Sequence, residues 1–171
     1  GCSMQEQQPR QHRSDAGIPR MQERDINAFR WIGEQGAINT DALQDLLGRQ
    51  PGGATKEEER LSKTRVRHIV EDRWEPAGMV YSDTILGKKW VWLTKRALHR
   101  ADLPFASHRP ADINLNHIHH SNRVRLDLEA AYEIGQWESE RMIERSKREW
   151  KIRKKERPGT YIINQYRMWH M

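Results

Sequence analysis

Residues 60 to 68 read Arg60-Leu61-Ser62-Lys63-Thr64-Arg65-Val66-Arg67-His68, cations and polar groups set around two apolar side chains. On a helix advancing about 100° per residue, with Leu61 at zero, Ile69, Val66 and Val70 fall at about 80°, 140° and 180°. These four residues define an inward half. Lys63, Arg67, Arg60, Thr64 and His68 occupy about 200° to 340° of the same wheel, and Arg65 sits on the boundary near 40°. Arg and Lys can donate to guanine O6 and N7, and Thr and His can serve bases or phosphates, so this is the composition of a major-groove helix. A solvated surface helix can carry the same charges. Lys88 and Lys89 tip the balance, because they fall at the tip of an expected hairpin just downstream, where a wing meets flanking phosphates or the minor groove. The expected DNA contacts are therefore Arg60, Lys63, Thr64, Arg65, Arg67 and His68 on the helix and Lys88 and Lys89 on the wing.

Other residues invite different chemistry. Asn116-His117-Ile118-His119-His120 carries three imidazoles, which suit zinc, nickel or copper. Yet the only cysteine is Cys2, and on a helix His117 and His120 share a face that His119 does not. Packing, solvent or phosphate contact is the simpler role, so no metal is expected. No nucleophile elbow, phosphate-binding loop or H-E-x-x-H pattern occurs. Glu138 and Glu140 fall on an expected strand, Trp137–Ile143, but a metal-dependent nuclease needs further carboxylates, and none follows Glu156. The expectation is a non-enzyme without cofactors.

The segment Arg141–Arg157 holds nine cations and three anions, an excess equal to the +6 of the whole chain. Such density suits nonspecific phosphate contact or a solvated helix. Trp150, Tyr161, Tyr166 and Trp169 lie in or beyond it and suit base stacking or packing.

These residues need elements to hold them. The chain has 171 residues, 36% hydrophobic and 32% charged, enough for one modest core. No apolar run is long enough for a membrane span, and no secretory leader is evident. Gly1 to Ser3, ahead of Met4, look like a cloning remnant, and a lone cysteine forms no intrachain disulfide. A cytoplasmic, nucleoid- or plasmid-associated bacterial protein fits.

Residues 1–21 read as a disordered arm. Asp25 is placed to cap a first helix that ends at Gly36, and Asn39 or Thr40 to cap a second that closes at Gly48. Thr55-Lys56-Glu57-Glu58 has capping-box spacing and predicts a third helix to about Arg73, stopped by Pro76 and Gly78. Met79–Thr84 and Lys89–Thr94 predict a hairpin turning at Leu86-Gly87-Lys88. Trp90 and Trp92 share one strand face and Val91 and Leu93 the other. Both faces should pack, one on the helices and one on the C-terminal segment. Thr94 then caps a short helix, Lys95–Ala101. The expected fold is mainly α with a small β-hairpin: a winged helix-turn-helix over 22–102, a linker over 103–112, and a C-terminal helical, basic extension over 113–171. A long helix from Leu115 to Ile134 should carry Val124, Leu128, Ala131 and Ile134 on one face and offer a dimer surface.

Two local motifs follow the wing. Trp92-Leu93-Thr94 closes the hairpin ahead of the short helix, and His117 precedes Asn122-Arg123-Val124 beyond the linker. In this order the chain resembles the replication-relaxation proteins of plasmids and integrative elements, over roughly residues 24–145. The resemblance implies a role in replication, transfer or transcriptional control of a mobile element. Longer members continue into a nuclease-like fold with a Trp-x-x-Glu-type strand and a Pro-Asp motif. Trp137-Glu138-Ser139-Glu140 matches the first, but Arg157-Pro158-Gly159 stands where Pro-Asp is expected, which implies an inactive remnant. The leading reading is a dimeric, sequence-specific regulator of double-stranded DNA. The alternative is an interaction module that recruits a replication or relaxase protein and binds DNA only nonspecifically.

Overall fold

The computed structural model describes residues 17–49, 59–131 and 137–156, with side chains described to residue 148. The fold is mainly helical with one small antiparallel sheet. Helix α1 (Glu23–Gln35) is capped by Gln22, not by Asp25. Asp25 lies one turn inside, 3% exposed. Its carboxylate accepts from the Gln22 amide (2.8 Å), Arg73 Nη2 (2.8 Å) and Trp74 Nε1 (3.0 Å). An acid read as a surface cap is thus a buried tie between α1 and the end of the third helix. Gly36 ends α1 at φ +100°, and its amide donates to Ile32 O.

Strand β1 (Ile38–Asn39) is too short to carry a sequence period and was not expected. Asn39 also caps α2 (Thr40–Gly48), accepting from the Ala42 amide at 2.9 Å. A Cβ on Gly48 would lie 2.6 Å from Glu59 O, so only glycine lets the returning chain pass.

Helix α3 runs from Lys63 to His68 and is capped by Ser62, whose Oγ accepts from the Arg65 amide at 3.2 Å. It does not extend back toward Thr55, since Glu59–Ser62 are non-helical and Glu59 has φ +47°. Thr55–Glu58 lie outside the described residues. The helix continues as a π-helical turn, Ile69–Trp74, and stops before Pro76 as expected. The wider turn coincides with Val70 and Trp74 both buried, Trp74 edge-on to Phe29.

Strands β2 (Val80–Ile85) and β3 (Lys88–Leu93) pair from Val80↔Leu93 to Ile85↔Lys88. Leu86 (φ +50°) and Gly87 (φ +80°) make the two-residue turn. Strand β1 pairs with the other edge of β3, giving the order β1-β3-β2. The central strand is buried on both faces, as its alternation predicts. Val91 and Leu93 join Phe29, Ile32, Leu43 and Val70 in the main core. Trp90 and Trp92 form a second cluster with Ala37, Ile85 and Leu115, against which Ile118 packs.

Thr94 caps α4 (Lys95–Arg100) and also donates to Gly78 O at 2.7 Å. Residues 103–112 are not a loose tether: Leu103 and Phe105 pack on the core, and Ser107 donates to Leu93 O at 2.6 Å. Helix α5 (Leu115–Ala131) lies against α2 and β1. Val124 and Leu128 are each 38% exposed and Ala131 is exposed, while Leu115, Asn122, Arg125 and Leu126 are buried. Ile134 lies outside the described residues. Partnered polar groups outweigh the apolar stripe here. Asn122, 0% exposed, donates to Ala37 O (2.9 Å) and accepts from Gln35 Nε2 (3.1 Å). Finally, Trp137–Ser139 have no regular structure, and Ser139 caps α6 (Glu140–Glu156) by accepting from the Met142 amide at 3.3 Å. The expected strand is therefore a cap and a helix start. No helix among the described residues is long and apolar enough to cross a membrane.

Candidate nucleic-acid interface

Buried Val66 and Val70, with Leu61 just before the helix, hold α3 on the core. That fixes which side chains face out. Lys63, Thr64, Arg67 and His68 are exposed, as the wheel predicts, and so is Arg65 from its boundary position. Among the described residues Lys63, Arg65 and Arg67 make no ion pair. His68 Nδ1 lies 2.5 Å from Asp72 Oδ2, one turn on.

Arg60 precedes the helix and is tied to α2. Its Nη1 meets both Asp45 oxygens at 3.2 Å, and its Nη2 donates to Gln44 Oε1 at 3.0 Å. It fastens the chain ahead of α3 to α2.

The hairpin lysines are likewise engaged. They sit just below the turn, whose tip is Leu86-Gly87. Lys88 Nζ lies 3.0 Å from Asp41 Oδ2 at the start of α2, and Lys89 Nζ lies 2.6 Å from Glu71 Oε1 on the π-helical turn. The Lys88 hydrogen bond, against opposing desolvation and with help from the charges of Lys88, Lys63 and Arg60, holds the Asp41 carboxyl below its usual range. Exposed pairs of this kind contribute about 0–1 kcal/mol, so a phosphate can displace the carboxylate without destabilising the fold.

Sequence reasoning missed the acids that hold these cations. Asp41, Asp45 and Glu71 lie far from their partners along the chain. Arg123 of α5 also reaches Asp45, so this carboxylate holds a cation from each side of α2.

The three clustered histidines diverge. His117 Nε2 is 2.6 Å from Glu140 Oε2, His119 Nδ1 is 2.9 Å from Asn39 Nδ2, and His120 is exposed. Among the described residues no group of three or more His, Cys, Asp or Glu is placed to hold a metal ion. Of the basic segment, Arg141 is an anchor: it donates to Gly33 O (2.8 Å) and Ala106 O (2.7 Å) and lies 4.5 Å over Phe105. Burial lowers its pKa from the ordinary arginine value. Lys151–Arg157 and the aromatic residues Trp150, Tyr161, Tyr166 and Trp169 lie outside the described side chains.

Comparison with family models, with curated proteins and with solved structures finds no match to this chain.

Proposed function

We propose that the protein is a sequence-specific binder of double-stranded DNA, with α3 as its major-groove helix and the β2–β3 hairpin as its wing. One observation carries this reading: Lys63, Arg65 and Arg67 are exposed, and make no ion pair among the described residues, on a helix whose other side is held in the core. The order α1-β1-α2-α3-β2-β3, with β1 and β2 flanking β3, supports a winged helix. Lys63 and Arg67 donate to base edges and nearby phosphates, Arg65 and Thr64 flank them, and His68, Lys88 and Lys89 extend the contact along the backbone. A dimer would read two half-sites, and exposed Val124 and Leu128 of α5 are where the second copy would sit. The setting, control of replication, transfer or transcription in a mobile element, rests on the resemblance carried by Trp92-Leu93-Thr94 and Asn122-Arg123-Val124.

The competing reading is an interaction module for a replication or relaxase protein. The pairing of Lys88 with Asp41 and Lys89 with Glu71 favours it, because it neutralises the wing in the free protein. Fluorescence-anisotropy titration of the protein's own upstream duplex, against random duplex at two salt concentrations, separates the two. Preference for the native duplex that survives moderate salt supports the regulator. Equal, salt-fragile binding to both supports the module.

A further inference from the structure

Helix α5 runs beside α2. His119 meets Asn39 at the start of α2, Arg123 meets Asp45 farther along, and the Leu126 carbonyl accepts from Arg49 at its end. The start of α5 therefore stands next to the wing lysine Lys88. Asp41 is within electrostatic reach of Lys88, Lys63 and Arg60, and His119 is within reach of Arg123, Asp41, Lys88 and His120. One band of charge thus runs from α3 across the start of α2 to α5.

We propose that His119, His120 and Arg123 form a second phosphate-contact strip for the same DNA duplex, one whose grip strengthens as pH falls. This rests on the DNA-binding reading above and extends its footprint beyond α3 and the wing.

The hydrogen bonding around His119 gives the strip its two states. Asn39 Oδ1 is committed to the Ala42 amide, so Asn39 Nδ2 must donate to His119 Nδ1. Neutral His119 accepts there. Protonated His119 carries a hydrogen on both ring nitrogens and cannot, so it must leave Asn39. Burial first, then the charge of Arg123, lowers the His119 pKa in the free protein, opposed by Asp41. A phosphate arriving beside it supplies the missing counter-charge and a new acceptor.

The charge balance also favours a phosphate. Lys63, Arg60, Lys88 and Arg123 face Asp41 and Asp45 on α2 and Asp127 on α5, four cations against three carboxylates. Protonation of His119 adds one more positive charge.

The groups facing His119 are Asn39 and Asp41 from the start of α2, Lys88 from β3, and His120 and Arg123 from α5 itself. His99, exposed on α4 and outside this cluster, serves as a control.

The test is anisotropy titration of a labelled duplex with the full chain from about pH 8 to pH 5.5. The variants are His119→Gln/His120→Gln and, separately, His99→Gln. Wild type should gain about tenfold in affinity, the equivalent of one pKa unit of linkage. Its dependence on log salt should steepen by about 0.9 per phosphate gained. The double variant should lose the gain, and His99→Gln should keep it. A gain that persists in the double variant, or that vanishes in His99→Gln, overturns the strip while leaving the DNA reading intact. A pH-independent wild type does the same. Absence of duplex binding at every pH overturns both.

Discussion

Two basic regions of this protein carry the same chemical groups in different company. On α3, Lys63, Arg65 and Arg67 stand exposed and make no ion pair among the described residues. At the base of the hairpin, Lys88 and Lys89 are each held by an acid from a neighbouring helix, Asp41 and Glu71. An unpaired cation gains the whole interaction with an incoming phosphate or guanine edge. A paired one must first give up a carboxylate, so its net gain is smaller. If the proposed DNA reading holds, the affinity lies on α3, while the hairpin, tied to α2 and the π-helical turn by its ion pairs, has a positioning role.

The difference depends on α3 being held rigidly from behind, and the largest effect should follow from loosening it. Asp25→Ala leaves the Trp74 indole N–H without its buried acceptor and the Arg73 guanidinium without its partner. We expect a loss of about 3 kcal/mol in unfolding free energy by urea denaturation. A loss below about 1 kcal/mol, the surface-pair level, would mean that Asp25 does not anchor α3.

Next in size is Arg67→Ala, which should cost about 1–3 kcal/mol of binding if Arg67 reads a guanine. Titrations with native and random duplex separate its roles, since an equal loss on both means that Arg67 contacts only phosphate.

Asp41→Asn releases Lys88 and makes the hairpin resemble α3. Duplex affinity should rise by less than about 1 kcal/mol, the scale of an exposed pair. No change would mean that Lys88 does not reach the DNA.

The smallest effect is on stability in acid. The folded-state pKa of Asp41 is below its ordinary value, so the Asp41 contribution is present above the unfolded pKa of 3.8 and lost as pH falls through the lowered value. Denaturation midpoints measured from pH 5 down through the acid range should show wild type losing slightly more than Asp41→Asn.

Some of this architecture could be read from the sequence, where local chemistry settles the matter. Thr94 and Asn39 announce their helices as caps, and the alternation from Trp90 to Leu93 predicts a strand buried on both sides. The outward residues of α3 follow from Val66 and Val70 alone. What escaped depends on distant partners. Asp25 looks like a cap until Trp74 and Arg73 arrive from the end of α3. The face of α5 is chosen by Asn122 and Arg125, whose partners sit on α1 and just beyond it. Trp137–Ile143 has the apolar residues of a strand, but Ser139 caps a helix there and Trp137 donates to Gln35. The paired state of Arg60, Lys88 and Lys89 escaped for the same reason, because a helical wheel shows where a cation points and nothing of what meets it.

The most direct test of the central claim compares two variants by anisotropy on the native duplex: Lys63→Gln/Arg65→Gln/Arg67→Gln, and Lys88→Gln/Lys89→Gln. The first should lose more than about a hundredfold in affinity, from several contacts worth about 1–3 kcal/mol each. The second should stay within about fivefold, the limit set by exposed pairs near 1 kcal/mol. Equal losses in the two variants, or wild-type binding by the first, would contradict that claim.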